Sequence, residues 1–322
     1  MKLRLPLLAA ALAAALAACS GNNSGSNASS SAAPGSSPGS QNAGAGKTIG
    51  VSIQDTEAQF YQQMQAGMQS EAKKYGYKLI VVDANRDNAR QQSQVEDFIS
   101  RRVDAIVLTP YDSQAIGSAI AEANNAKIPV FTADIANASK QGRVVSHVAS
   151  NNVQGGRQAG LLMCKAAGNS GAVAILDEPE VTSVQDRVKG FKEALAQQCP
   201  GVKVVADTDS GGTRTKASND MGDILQAHRD LKGVFGVNDD SALGALTAIR
   251  AANATGIAIV GYDATPEART AIANGGMYGD ALQHPDRIGE QTIDVIHQYF
   301  SGKSVPARID VPVGTYTKAG AH

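Results

Sequence analysis

The sequence predicts an α/β protein made of two doubly wound parallel-sheet lobes. Three observations predict it. Short runs rich in Val and Ile recur along the chain, as in strands buried on both faces. Stretches with apolar and small residues at helical spacing stand between those runs. The body, residues 47–322, is long for one core and suits two.

The elements follow in order. Residues 48–54 read as a buried strand and 59–75 as a helix ended by Gly76. Strands are predicted at 78–82, 105–108 and 129–132, with helices at 88–101 and 113–125 between them. A strand at 144–148 follows, and a second series begins. Its helices lie near 153–167, 183–198, 215–227, 241–251 and 266–274, and its strands near 173–176, 202–206, 233–235 and 258–260. Two βαβ series of similar size imply two sheets. The tail reads as a strand at 277–282, a helix at 286–300 and a strand at 309–313.

The N-terminus points outside the cytoplasm. Lys2 and Arg4 flank a Leu- and Ala-rich run that is short for a membrane span and shaped like a signal-peptide core. Leu16-Ala17-Ala18-Cys19 resembles the lipobox of bacterial lipoproteins, which implies a signal over 1–18 and lipid on Cys19. The alternative is ordinary secretion with an inert Cys19. Residues 20–46 carry no charge and bury little, so 19–46 reads as a lipidated cysteine and a flexible tether to the bilayer.

The net charge of −1, with no basic block, argues against a nucleic-acid partner. The absence of Trp favours a small ligand. Cys164 and Cys199 form an even pair outside the cytoplasm, so a disulfide is expected; two separate buried thiols are the alternative.

Several blocks carry a family resemblance. They are Ile128-Pro129-Val130-Phe131-Thr132-Ala133-Asp134, Val145 to Asn152 followed by Gly155-Gly156, Val234 to Asp240, and Val260-Gly261-Tyr262-Asp263-Ala264-Thr265-Pro266. In this order and spacing they resemble the periplasmic binding proteins of the ribose and galactose type (type I). The resemblance implies three crossings between lobes, which form the hinge. Lobe one is then about 47–149 plus 283–311, and lobe two 150–282 plus 312–322.

The resemblance also implies the function. A small neutral monosaccharide or polyol would be captured between the lobes and passed to the membrane permease of an ABC importer. Service to a chemoreceptor or sensor kinase is the other reading. A monomer without cofactor, metal or catalysis is expected; paired carboxylates would suit glycoside chemistry, but no independent feature supports it.

A sugar offers hydroxyls that donate and accept, and C–H patches that behave as apolar surface. Its site therefore combines carboxylates, amides and aromatic rings past the carboxyl ends of strands. The candidates are Gln54, Phe60, Tyr61, Asp134, Asn238, Tyr262, Asp263 and Gln283. Each has a plainer role open to it: Phe60 and Tyr61 as helix anchors, Asp134 as a turn residue, Asn238 as a helix cap, Gln283 as hinge geometry.

The departures from family ribose binders are specific. Ile135 stands where they have an Arg, and an alignment anchored on Arg187, Gly190 and Phe191 places a second ligand position at Gln185, again without its Arg. Ala58 replaces an Asn, and the aromatic near Gly212 is missing. Charge-assisted bonds are thereby lost, which puts ribose itself in question and leaves the neutral hydroxylated class. Asp83, Asn85 and Asp87 have calcium-loop spacing but lack the Gly and bidentate Glu it needs, so they read as a strand-to-helix loop. The five histidines show no metal spacing.

Overall fold

Alternating apolar strands and amphipathic helices resolve into two separate sheets. The computed structural model describes residues 46–322; the signal-like run, Cys19 and most of the uncharged stretch lie outside them.

The first series is β1 (Thr48–Ile53), α1 (Gln59–Tyr75), β2 (Lys78–Asp83), α2 (Asn88–Ser100), β3 (Ala105–Leu108), α3 (Gly117–Asn125), β4 (Val130–Ala133) and β5 (Val144–Ser150). The second is α4 (Asn152–Ala166), β6 (Ser170–Asp177), α5 (Thr182–Gln198), β7 (Gly201–Asp209), α6 (Arg214–Ala227), β8 (Leu231–Gly236), α7 (Asp239–Ala251), β9 (Ala258–Asp263), α8 (Pro266–Ala273) and β10 (Gly279–Leu282). The tail holds α9 (Pro285–Phe300), β11 (Arg308–Val311), β12 (Gly314–Thr317) and β13 (Gly320–Ala321).

The first sheet runs β11-β5-β4-β3-β1-β2 and is parallel throughout. The second runs β13-β12-β10-β9-β8-β6-β7, parallel from β10 to β7. Without the tail strands, both share one order, β2-β1-β3-β4-β5 and β7-β6-β8-β9-β10. In such sheets ligands meet the loops past the carboxyl ends of strands, at the point where the order reverses. The chain passes between the sheets after β5, after β10 and after β11.

Helix α9 returns to the first lobe and lies on α1 so closely that a Cβ at Gly289 would sit 2.1 Å from Met64 O. Helices α4 and α5 do the same in the second lobe, where a Cβ at Gly190 would sit 2.1 Å from Val153 O. Gly156 likewise lies against α5, where a Cβ would sit 2.0 Å from Arg187 O, whereas Gly155 makes room for the Tyr262 ring of β9. Cys164, late in α4, is bonded to Cys199, just past α5, with Cα atoms 5.7 Å apart.

Two local expectations change. The strand read at 309–313 is β11, ending at Val311, and the residues after it form an antiparallel hairpin, β12 and β13, on the edge of the second sheet. Half-exposed edge strands carry no continuous apolar run to reveal them. Residues 113–116 are turn rather than helix, and Ser113 bonds the other lobe instead. The 83–87 segment is a strand-to-helix loop in which Asp87 caps α2 by accepting from Arg90 N at 2.9 Å.

Candidate ligand-binding site between the lobes

The lobes are closed on each other. From lobe one, Arg86 Nη1 donates to Glu178 Oε1 at 3.0 Å and to Gly211 O at 2.6 Å. Gln54 Nε2 reaches Glu178 Oε1 at 3.4 Å. Elsewhere along the cleft, Thr182 N donates to Ser113 Oγ at 3.1 Å, and Ala136 N to Thr182 Oγ1 at 3.2 Å.

These contacts enclose a cavity lined from lobe one by Phe60, Tyr61, Asp134 and Ile135, and from lobe two by Arg187, Asn238 and Asp263, among others. Phe60 and Tyr61 begin α1 with their rings edge to face, 5.2 Å between centroids. Asp134 directly follows β4, and Asp263 ends β9. Both are buried, and both have positive φ, 64° and 119°. Non-glycine residues adopt such backbone only when their surroundings hold it, often at binding sites.

The acids differ in their partners. Asp263 Oδ1 accepts from Gln283 Nε2 at 2.7 Å and lies 3.9 Å from Arg187 Nη1. Asp134 Oδ2 is 3.5 Å from the Tyr61 hydroxyl, and its Oδ1 meets no donor among the described residues. Burial pushes both carboxyls above the usual carboxylate range, Asp263 well above, while Arg187 pulls each back. Burial also raises Glu178, against the pull of Arg86 and Arg187.

Arg187 is the buried cation of the cavity interior. Its Nε donates to Asn152 Oδ1 at 2.9 Å, its Nη1 to Val237 O at 2.9 Å, and it stacks on the Tyr262 ring at 4.1 Å.

Phe60, Tyr61, Asp134, Asn238 and Asp263 therefore face the cavity, although Asn238 also caps α7 through Ser241 N at 2.8 Å and donates to Gly212 O. Three candidates stand behind the lining. Gln54 bonds Glu178, and Gln283 orients Asp263. Tyr262 is covered by Arg187 and donates to Asn152 Oδ1 at 3.2 Å, so its ring supports Arg187 rather than covering a ligand.

Gln185 requires correction. It is exposed and donates to Pro179 O at 2.8 Å, away from the cavity. Two helical positions differ by about 200° around the axis, so Arg187 faces inward where Gln185 faces out. The losses at Ile135 and Ala58 do line the cavity and leave apolar wall there. Arg86 and Glu178 carry no local sign of a site role in the sequence, and Arg187 is marked only by its place beside Gly190 and Phe191.

The sequence of the chain matches the periplasmic binding protein domain over residues 49–304. The chain belongs to this family. Among periplasmic binding protein relatives, the ribose import binding protein RbsB of Salmonella typhimurium is 37% identical over 271 residues, covering 84% of this chain and 90% of the relative. A solute-binding protein of Actinobacillus succinogenes, solved with bound D-allose, superposes with a TM-score of 0.79 at 28% identity, covering 85% and 98% of the two chains. One from Bacillus halodurans, solved with bound myo-inositol, gives 0.78 at 29% identity, covering 86% and 96%. The fold of two parallel-sheet α/β lobes is the type I fold of this family.

Proposed function

We propose that this chain is the substrate-binding component of an ABC-type sugar importer, and that it captures a small neutral monosaccharide or polyol in the cavity between its lobes. One observation carries the reading: Asp134 and Asp263 face one closed cavity from opposite lobes, beside the rings of Phe60 and Tyr61. Buried acceptors of this kind need donors, which ring hydroxyls supply, while the aromatic edge and Ile135 suit C–H surface. Contacts made only when both lobes grip the ligand favour the closed state. The sugar and cyclitol bound by the structural neighbours support the ligand class.

Thermal-shift titration with D-ribose, D-allose, xylitol and myo-inositol tests the reading. A true ligand at about a thousand times its Kd adds roughly 4 kcal/mol of stability. If a sugar acid or sugar phosphate proves the tightest binder, the neutral-ligand reading fails.

We further propose that lipid on Cys19 holds the protein at the outer face of the membrane, with residues 20–46 as tether. Fractionation checks this: Cys19→Ala should move the protein from the membrane to the soluble fraction and leave sugar affinity unchanged.

A further inference from the structure

Beneath the lobe-two side of the cavity, two acids face each other. Asp280 on β10 is entirely buried, and neither of its oxygens makes a well-formed hydrogen bond among the described residues, although the backbone of Gly261 lies against it. Its carboxyl lies over the backbone of β9, where a Cβ at Gly261 would stand 2.2 Å from Oδ1; the glycine leaves it room. Asp239, in the first turn of α7, is 3% exposed and lines the cavity. Its Oδ2 accepts from Thr265 N at 2.7 Å, and its Oδ1 meets no donor. The two carboxyls are close enough to act on each other's charge. Two buried carboxylates this close cannot both ionise at low cost, and one proton between them supplies the missing donor.

The other charged or titratable groups around them do not replace that proton. Asp263 on β9 adds negative charge. Arg269 on α8 acts on Asp280 from a distance, spends Nε on Ala264 O at 2.7 Å and lies over the ring of Tyr316 on β12. Arg187 lies 3.9 Å from Asp263 and spends its Nε and Nη1 on Asn152 and Val237 O. Burial raises both carboxyls, Asp239 well above the usual carboxylate range and Asp280 to about 7.

We propose that Asp280 is a positioning residue: it shares one proton with Asp239, this proton fixes the turn that presents Asp263, and closing the cleft on a ligand takes the proton up. The coupling is structural. Thr265 N ties the turn to Asp239, and that turn carries the positive φ values of Asp263 and of Ala264, 57°. A turn in such backbone needs holding. With both acids ionised, repulsion drives Asp239 off its partner and loosens the Thr265 anchor. Water reaches Asp239 in an open cleft and eases that second charge; the closed cleft removes the water, so closure favours the protonated pair.

The inference rests on the sugar-binding reading, and its test separates the two. The tightest binder among D-ribose, D-allose, xylitol and myo-inositol is titrated calorimetrically from pH 6 to 9, in buffers of different ionisation enthalpy. Wild-type protein should take up protons on binding, and its Kd should weaken by roughly tenfold across this range, the effect of one unit of pKa difference. Asp280→Asn, whose amide donates to Asp239 without a titrating proton, should bind with a flat pH profile. Asp280→Leu should lose affinity at every pH. A pH-independent wild-type Kd without proton uptake overturns the proposal, as does an Asp280→Asn profile identical to wild type. Ligand-free melting gives a second readout. A carboxyl raised by folding stabilises below its unfolded pKa, and that stability is lost as pH rises through the folded value. Wild type should therefore lose stability from pH 6 to 9 relative to Asp280→Asn. If no sugar binds, the functional reading falls, and the melting curves alone decide whether the proton is shared.

Discussion

Asp134 and Asp263 face one cavity from opposite lobes, yet their surroundings are unlike. Asp263 is held by Gln283 at 2.7 Å, with Arg187 3.9 Å away, and its turn is tied to Asp239 through Thr265. Asp134 has a tyrosine hydroxyl at 3.5 Å, an oxygen without a donor, and Ile135 as its neighbour. Lobe two presents an assembled cluster around its acid, whereas lobe one presents an acid with few partners. Preorganised groups lose less on binding than groups that must be ordered, so the same substitution should read differently in the two lobes.

The largest effect that would break this contrast is expected at Arg187. Arg187→Met removes the cation beside Asp263 and leaves Asn152 and Val237 O without their donor. Removing one partner of a buried charged cluster costs about 3–5 kcal/mol. Melting and calorimetry should both register it; an unchanged melting temperature would mean that lobe two is not organised around this residue.

Next comes the disulfide. Cys164 and Cys199 are 35 residues apart and belong to one lobe. Replacing both with Ala should cost about 2–4 kcal/mol of stability. Because the bond does not span the hinge, sugar affinity of the folded fraction should hold. A large loss of affinity at full folding would show that the α4–α5 pair is not independently stiff.

Asp134→Asn and Asp263→Asn sharpen the comparison directly. Each should weaken binding by about 1.5–3 kcal/mol, the range for hydrogen bonds to charged groups. Asp263→Asn should lower the melting temperature of the ligand-free protein more than Asp134→Asn, since Gln283 and Arg187 hold Asp263 whereas only the Tyr61 hydroxyl, at 3.5 Å, reaches the Asp134 carboxylate. Equal effects on stability would remove the distinction between the lobes.

The remaining effect lies in lobe one and is set by acid. Burial, followed by nearby Arg308, pulls the His147 imidazole down to about 4, and its Nδ1 is 2.9 Å from Thr132 Oγ1. Here folding disfavours the proton, so stability falls as pH drops from about 6.5 toward 4. His147→Gln should flatten that slope in a melting series, and a wild-type curve flat over this range would contradict it.

Legibility in the sequence divides along physical lines. Strands β1, β3, β4, β8 and β9 are apolar runs between turn signals, and their periodicity is local information. Asp134 and Asp263 were visible for the same reason: each polar residue stands directly after such a run. The hairpin of β12 and β13 has no such run. Arg86 and Glu178 were not visible because their role is a contact across 92 residues, made only when the lobes meet. Gln185 and Tyr262 show what adjacency leaves out, since facing on a helix and depth behind a lining depend on packing. Gln185 lies on the outer side of α5, and Tyr262 lies beneath Arg187.

The return of α9 to the first lobe bears on the order in which the protein can be built. Tyr75 bonds Asp294 across 219 residues and Tyr77 bonds His297 across 220, and both join the start of the chain to its last helix. The parallel core of the second sheet, with its disulfide, is complete by Leu282. A chain threaded across a membrane from its N-terminus therefore delivers the first lobe's sequence first but can finish that lobe only last. Until α9 arrives, the face of α1 that carries Met64 and Met68 is uncovered. Such exposed apolar surface is where a nascent chain aggregates or engages a chaperone. Lobe one, which brings Phe60, Tyr61 and Asp134 to the cleft, is complete only once α9 and β11 have been added.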